Sequence, residues 1–295
     1  MAQAKIIDGR EVAQKLREEY KSRVQQLKEQ GITPGLAVVI VGEDPASKVY
    51  VRMKGKACRK LGIEEKTFEL PKETTQEELL ELIQTLNRDE QYHGILVQMP
   101  LPEQIDENTI IESIDFSKDV DGLHPVSVGR IVMGRPEFIP CTPHGILELL
   151  KHYQIETDGK NVVIVGRSNL VGKPIANLLY QKTEWGNATV TICHTHTKDL
   201  PSVTRRADIL IVAAGSPNAV TADMIKPHAT VIDVGVNRVE DSSAEKGYRL
   251  VGDVDFENAQ KVADYISPVP GGVGPMTITM LLHNTIWSAE QKSGD

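Results

Sequence analysis

Apolar residues return every three or four positions over residues 9–30, at Val12, Leu16, Tyr20, Val24 and Leu27, which predicts an amphipathic helix with one packing face. Gly31 closes that helix, and Leu36-Ala37-Val38-Val39-Ile40-Val41 then reads as a buried strand ending at Gly42. The alternation continues with a helix over about 46–61, a strand near 65–70, a helix near 75–87 and a strand over 94–98. Strands and helices in this order favour an α/β fold with a parallel sheet, whose ligand crevice lies beyond the carboxyl ends of its strands. Tyr50, Lys54 and Gln98 fall near such ends.

Three prolines interrupt the pattern over residues 136–143, after which Thr142-Pro143-His144-Gly145 opens an apolar helix through Leu150. A domain boundary is expected there. A second series follows, with strands at 162–165, 189–192, 209–213 and 230–234, the pattern of a nucleotide-binding half. Residues 267–275 are too rich in glycine and proline for a regular element, and 276–288 read as a final helix.

The run Val162 to Val165 leads into Gly166-Arg167-Ser168-Asn169-Leu170-Val171-Gly172-Lys173-Pro174, a strand meeting a glycine turn and a helix. Such a turn aims backbone N–H groups and a helix N-terminus at an anion, and Arg167 adds a permanent, fork-shaped positive charge. Ser168 stands where the G-x-G-x-x-G rule has its middle glycine. The segment therefore admits two readings, a dinucleotide site and an ordinary strand-turn-helix of a doubly wound sheet.

Tyr50 and Lys54 are four residues apart, on one face of the second helix. A lysine held by a hydrogen-bonding neighbour in a dry crevice serves as a general acid or base; an exposed lysine beside a packed tyrosine has the same spacing. Gln98, at a strand end before Met99-Pro100-Leu101-Pro102, suits an amide that orients a substrate or lysine, or a turn contact. Lys118-Asp119-Val120-Asp121-Gly122 fits a carboxylate anchoring a heterocycle's N–H groups, or an Asx-turn, and lacks the spaced ligands of a calcium loop. His194 and His196, beside Cys193, have no second ligand cluster, so no metal is expected.

At 295 residues and 40% hydrophobic composition, the chain is long enough for two domains with substantial cores. A net charge of −8 disfavours generic nucleic-acid binding. No apolar run is long enough for a bilayer and the N-terminus has no secretory apolar region, so the expectation is a cytoplasmic protein without membrane or nucleic-acid partners. Cys58, Cys141 and Cys193 are isolated thiols without CxxC spacing, so neither a disulfide framework nor a zinc ribbon is indicated and reduced, structural cysteines are expected.

Taken together, Tyr50-Val51-Arg52-Met53-Lys54-Gly55-Lys56, Gly94 through Pro102, Lys118 through Gly122, Gly166 through Pro174 and Pro268-Val269-Pro270-Gly271-Gly272-Val273-Gly274-Pro275-Met276-Thr277 resemble the bifunctional methylenetetrahydrofolate dehydrogenase/cyclohydrolase family, in the family's order and over nearly the whole chain. The resemblance implies a Rossmann-like NADP-binding domain over 141–275, a folate-binding catalytic domain over 1–140 plus 276–295, and a cleft between them. It implies reversible oxidation of 5,10-methylenetetrahydrofolate with NADP⁺ and hydrolysis of the methenyl product to 10-formyltetrahydrofolate, in one-carbon metabolism and purine biosynthesis, by a homodimer.

By the same resemblance Lys54 is the catalytic lysine, Tyr50 the ring that stacks on the folate, Gln98 the amide that orients the lysine and Asp121 the carboxylate that holds the pterin. Pro270, Gly274 and Thr277 line the folate side. Gly166, Arg167, Ser168, Thr195 and Val236 contact the cofactor; Thr195 stands where many members carry serine and keeps the hydroxyl, which with Arg167 and Ser168 favours the 2′-phosphate of NADP. A shikimate-type dehydrogenase has a similar two-domain plan but not the Lys54, Gln98 and Asp121 constellation.

Overall fold

The computed structural model describes residues 3–244 and 247–292. In chain order the first elements are β1 (Lys5–Ile6), α1 (Gly9–Glu29), β2 (Gly35–Val41), α2 (Pro45–Leu61), β3 (Glu64–Leu70), α3 (Gln76–Arg88), β4 (Gly94–Val97), α4 (Glu107–Ser113) and α5 (Pro125–Val132). Then follow α6 (Cys141–His152), β5 (Asn161–Val165), α7 (Gly172–Leu179), β6 (Thr189–Cys193), α8 (Leu200–Thr204), β7 (Ile209–Val212) and β8 (Thr230–Asp233). The chain ends with β9 (Asn237–Glu240), β10 (Tyr248–Val251), α9 (Phe256–Ala259), β11 (Tyr265–Ile266) and α10 (Val273–Lys292).

Two compact units result, one of residues 1–14 with 142–277 and the other of 15–141 with 278–295. The sequence division differs at its start, because it groups residues 1–14 with the substrate domain. Those residues carry β1, which pairs parallel to β11 at the edge of the larger sheet. Two residues are too few for a periodic signal, so only the pairing reveals it.

The larger unit is built on a sheet of order β1-β11-β8-β7-β5-β6 with every pairing parallel. Chain order reverses at β5, whose neighbours are β6 and β7, and a reversal of this kind opens a crevice at the carboxyl end of the strand. Val163, Val165, Leu210, Val212 and Val231 form one buried face of this sheet. An antiparallel hairpin of β9 and β10 stands apart from it. Its strands are short and half-polar, and periodicity alone does not reveal them.

The smaller sheet, β3-β2-β4, is also parallel and reverses at β2. Ala37, Val39, Ile95 and Val97 pack on Leu79, Ile83 and Leu86 of α3, side chains whose burial contributes roughly 1.5–3 kcal/mol each for the larger ones. Local chemistry fixes the helix ends. Asp44 caps α2 by accepting from Ser47 N, Pro45 opens that helix, and Gly62 ends it at φ 80°. Thr75 and Glu78 form a reciprocal capping box on α3.

The last helix starts at Val273, three residues before the sequence expectation, and takes Gly274 and Pro275 into its first turn. N–H groups there have no intrahelical acceptor, so proline costs nothing. Further along, buried Asn284 donates to the carbonyls of Val120 (2.8 Å) and Ile139 (3.0 Å), and Ser288 Oγ donates to His93 O (2.6 Å). These bonds join α10 to loops of the smaller unit. Asn284→Ala would remove both bonds, leaving Ile139 O without this donor and Val120 O with only the Cys141 thiol; a loss of about 1–3 kcal/mol is expected in urea unfolding, and an unchanged midpoint refutes this role.

Candidate active site

The reversal at β2 sets the first cluster. α2 leaves the carboxyl end of β2 and carries Tyr50 and Lys54, while Gln98 directly follows β4. Gln98 N donates to Val39 O (2.8 Å), which extends the β2–β4 ladder by one rung and fixes the residue's direction. Lys54 Nζ donates to Gln98 Oε1 (3.0 Å), and Gln98 Nε2 donates to Met99 O (2.7 Å). The second bond selects the amide orientation: the NH2 is committed to the backbone, so the oxygen faces the ammonium. The turn contact and the lysine contact are both real and complementary.

Tyr50 is 43% exposed. Asp121 is half-buried. Cys141, read from sequence as an isolated structural thiol, sits beside it: its thiol donates to Val120 O (3.5 Å) and is pushed well above the ordinary range by burial, then by the Asp121 charge, with Lys54 pulling the other way. Cys141 therefore feels both charged groups, which brings Lys54 and Asp121 to one locality. No spacing rule points to this thiol, since its neighbours are 20 and more residues away.

The loop presenting Asp121 is held by its neighbours. Lys118, 3% exposed, donates to Leu86 O (2.9 Å) and Asp89 O (2.8 Å), satisfying carbonyls at the end of α3, and burial draws its pKa down to about 8. Asp119, 2% exposed, accepts from Leu123 N, His124 N and Ser127 Oγ at 2.7–3.1 Å. Gly122 turns the chain at φ 72°, where a Cβ would lie 2.7 Å from Pro140 N. The Asx-turn reading thus holds for Asp119, while Asp121 is half-buried beside Cys141. Among the described residues no group of three or more metal-ligating side chains exists.

In the larger unit, Gly166 ends β5 at φ 128°, and a side chain there would sit 2.2 Å from Ala213 O. Gly172 opens α7 with its Cβ position 2.2 Å from Gly166 O, so the turn closes only with glycine at both ends. Ser168 Oγ accepts from Val171 N (3.1 Å), leaving its hydroxyl proton to donate outward. Arg167 and Ser168 are exposed, as is Thr195 in the turn after β6. Gly166 N donates to Cys193 O (2.9 Å), which sets the two turns side by side. A guanidinium and two hydroxyls are a donor set suited to a phosphate monoester.

Val236 follows β8 and is 47% exposed, two strands from β5. Pro270 and Gly274 are exposed, with no heavy atom within 4 Å of a Cβ at Gly274, and Thr277 Oγ1 hydrogen-bonds Thr142 Oγ1 (2.9 Å). The structure therefore gathers Lys54, Gln98 and Asp121 in one cluster and Gly166, Arg167, Ser168 and Thr195 in another.

A parallel sheet with a glycine turn at its reversal, and a second sheet whose reversal carries a lysine bonded to an amide, define a dinucleotide-linked α/β enzyme. The chain belongs to the tetrahydrofolate dehydrogenase/cyclohydrolase family: the family's catalytic domain matches residues 7–121 and its NAD(P)-binding domain residues 140–293. The bifunctional protein FolD of Prosthecochloris aestuarii is 57% identical over 286 residues, 96% of this chain and 97% of that one. The crystal structure of the bifunctional FolD methylenetetrahydrofolate dehydrogenase/cyclohydrolase from Campylobacter jejuni has a TM-score of 0.93 at 50% identity, covering 98% of this chain and 99% of that one. That of the Trypanosoma brucei enzyme, complexed with NADP cofactor and inhibitor, has a TM-score of 0.94 at 42% identity, covering 99% of both.

Burial pushes the Asp119 carboxyl up from 3.8 to about 6 and outweighs its three hydrogen bonds. The folded chain thus holds this proton more tightly than the unfolded chain, so the stability from this group is present below about pH 4 and lost as pH rises through about 6. In denaturation series between those values and neutrality, wild type should lose stability relative to Asp119→Asn as pH rises. A pH-independent difference would contradict the burial argument.

Proposed function

We propose that this chain oxidises 5,10-methylenetetrahydrofolate to 5,10-methenyltetrahydrofolate with NADP⁺ and hydrolyses the product to 10-formyltetrahydrofolate. The observation that carries the reading is the Lys54 Nζ to Gln98 Oε1 bond of 3.0 Å at the reversal of the smaller sheet. Family membership, the named activities of the full-length relatives and the NADP in the trypanosome complex support it.

Residues 15–141 with 278–295 would handle the folate. Tyr50 stacks on its planar part and Asp121 accepts from the pterin N–H groups. Hydride transfer asks for alignment more than for a base, and these contacts provide it. NADP⁺, when bound, accepts the hydride. Gly166 lets the backbone of its turn approach the dinucleotide, Arg167, Ser168 and Thr195 bind the 2′-phosphate, and Val236 packs against the cofactor.

Hydrolysis needs proton transfers. Water adds to the cationic methenyl carbon and loses one proton to give the carbinol; the hydroxyl then loses its second proton as the formyl C=O forms, the bond from that carbon to N5 breaks and N5 takes a proton up, with one proton released overall. Lys54 serves as the general acid/base, held in direction by Gln98, whose oxygen is committed to it because its NH2 is tied to Met99 O. The formyl product is a one-carbon donor of the kind purine biosynthesis consumes.

We further propose a homodimer in the cytoplasm. Among the described residues the outer edge of β3 has no strand partner in its sheet, and α2 exposes apolar Val49 and Met53, features suited to contact with a second copy. Three buried free cysteines suit a reducing compartment, and among the described residues no helix is long and apolar enough to cross a membrane.

Lys54→Met should lower cyclohydrolase turnover by on the order of a hundredfold or more with an unchanged melting curve; parent-rate hydrolysis by a folded variant would remove the role given to Lys54. Arg167→Ala should raise the KM for NADP⁺ by about tenfold and leave that for NAD⁺ nearly unchanged, since only the former carries the phosphate. Equal effects on both coenzymes would move the phosphate contact elsewhere.

A further inference from the structure

Two glycine turns lie at carboxyl ends of adjacent strands in the larger sheet, Gly166 after β5 and Ala214-Gly215-Ser216 after β7. Both are of a kind that turns backbone N–H groups inward on an anion. The second is already filled from within the chain. Asp253 Oδ2 accepts from Ala214 N (2.6 Å) and Gly215 N (2.8 Å), and Oδ1 accepts from Ser216 N (3.0 Å) and Asn237 Nδ2 (2.8 Å). Asp253 is fully buried, so these four donors are its surroundings in place of water.

The backbone that carries Asp253 is itself held by a second carboxylate. Asp233, at the end of β8 and 2% exposed, accepts from Gly235 N, Asp253 N and Val254 N, each at 3.0 Å. The two segments Asp233-Val234-Gly235 and Gly252-Asp253-Val254 therefore grip one another. A Cβ at Gly235 would lie 2.1 Å from Asp253 Cγ, and one at Gly252 would lie 1.8 Å from Asp233 Oδ2. Neither position has space for a side chain. Val236 lies between Gly235 and Asn237, both in contact with these carboxylates.

We propose that Asp253 is a positioning residue of the cofactor site: its carboxylate occupies the anion nest after β7, locks that turn to Asn237, and so fixes the wall that carries Val236 while leaving the Gly166 turn to take the cofactor's phosphates. The proposal rests on the assignment of NADP to this sheet. A built-in anion excludes a phosphate from the β7 turn by charge and by occupancy, so the dinucleotide has one register along the strand ends.

Asp253→Asn tests it on the full-length protein. One amide oxygen keeps at most the two bonds now made by Oδ2, and its NH2 faces the donors Ser216 N–H and Asn237 Nδ2, so half of the clamp is lost. The KM for NADP⁺ should rise by about tenfold, while the KM for methylenetetrahydrofolate and the cofactor-independent cyclohydrolase rate stay within about twofold. A general loss of structure would move all three together. Should Asp253→Asn fail to fold by its melting curve, Asn237→Ala decides, because it removes one bond to Oδ1 and keeps the carboxylate; about a threefold rise in the KM for NADP⁺ alone is expected. A parent KM for NADP⁺ in a folded variant overturns the proposal while the wild type's NADP⁺-dependent oxidation upholds the cofactor assignment. A wild type without NADP⁺-dependent oxidation overturns both.

Discussion

A loop that leaves the end of a buried parallel strand carries N–H groups with no ladder to join, and each must find an acceptor or forfeit the burial around it. This chain solves the problem with internal carboxylates. Asp119 takes two backbone N–H groups and a hydroxyl, Asp233 takes three backbone N–H groups, and Asp253 takes three more with the Asn237 amide. Burying a carboxylate is costly, and burial raises Asp119 to about 6 and Asp233 to about 7. The return is geometric. A two-oxygen acceptor with about four lone-pair directions fixes a loop more tightly than a single carbonyl does.

This constraint explains which parts of the fold are legible in the sequence. Strands β2, β4, β5, β7 and β8 are short apolar runs, and helices α1, α2 and α3 carry three- and four-residue periodicity, so their existence and order follow from local pattern. β1 and the β9–β10 hairpin do not. Two residues pairing with a strand far along the chain, or a half-polar hairpin, leave no periodic trace, and only the edge of an existing sheet or an opposing strand makes them regular. The carboxylate clamps are invisible for the same reason, since Asp253 lies 37 to 39 residues from the turn it fills.

The candidate site divides along similar lines. Tyr50 and Lys54 announce a shared helix face by their four-residue spacing, but nothing in that spacing supplies Gln98, which lies 44 residues from Lys54 and reaches it because the chain reverses at β2. Gly166 is legible as a turn, yet the need for glycine comes from its φ of 128° and from Ala213 O just past the end of β7, a contact that belongs to the sheet rather than to the motif.

Lys118 through Gly122 show why a compact motif resists reading by residue type. Lys118 is spent on the carbonyls at the end of α3, Asp119 on the start of the next turn, Val120 on the core, and Gly122 on a positive φ beside Pro140. Only Asp121 remains half-exposed, beside Cys141. Two aspartates two residues apart look equivalent in a sequence and both invite a ligand. Backbone direction separates them: Asp119 meets two N–H groups and a hydroxyl and becomes structure, while Asp121 lies beside the Cys141 thiol.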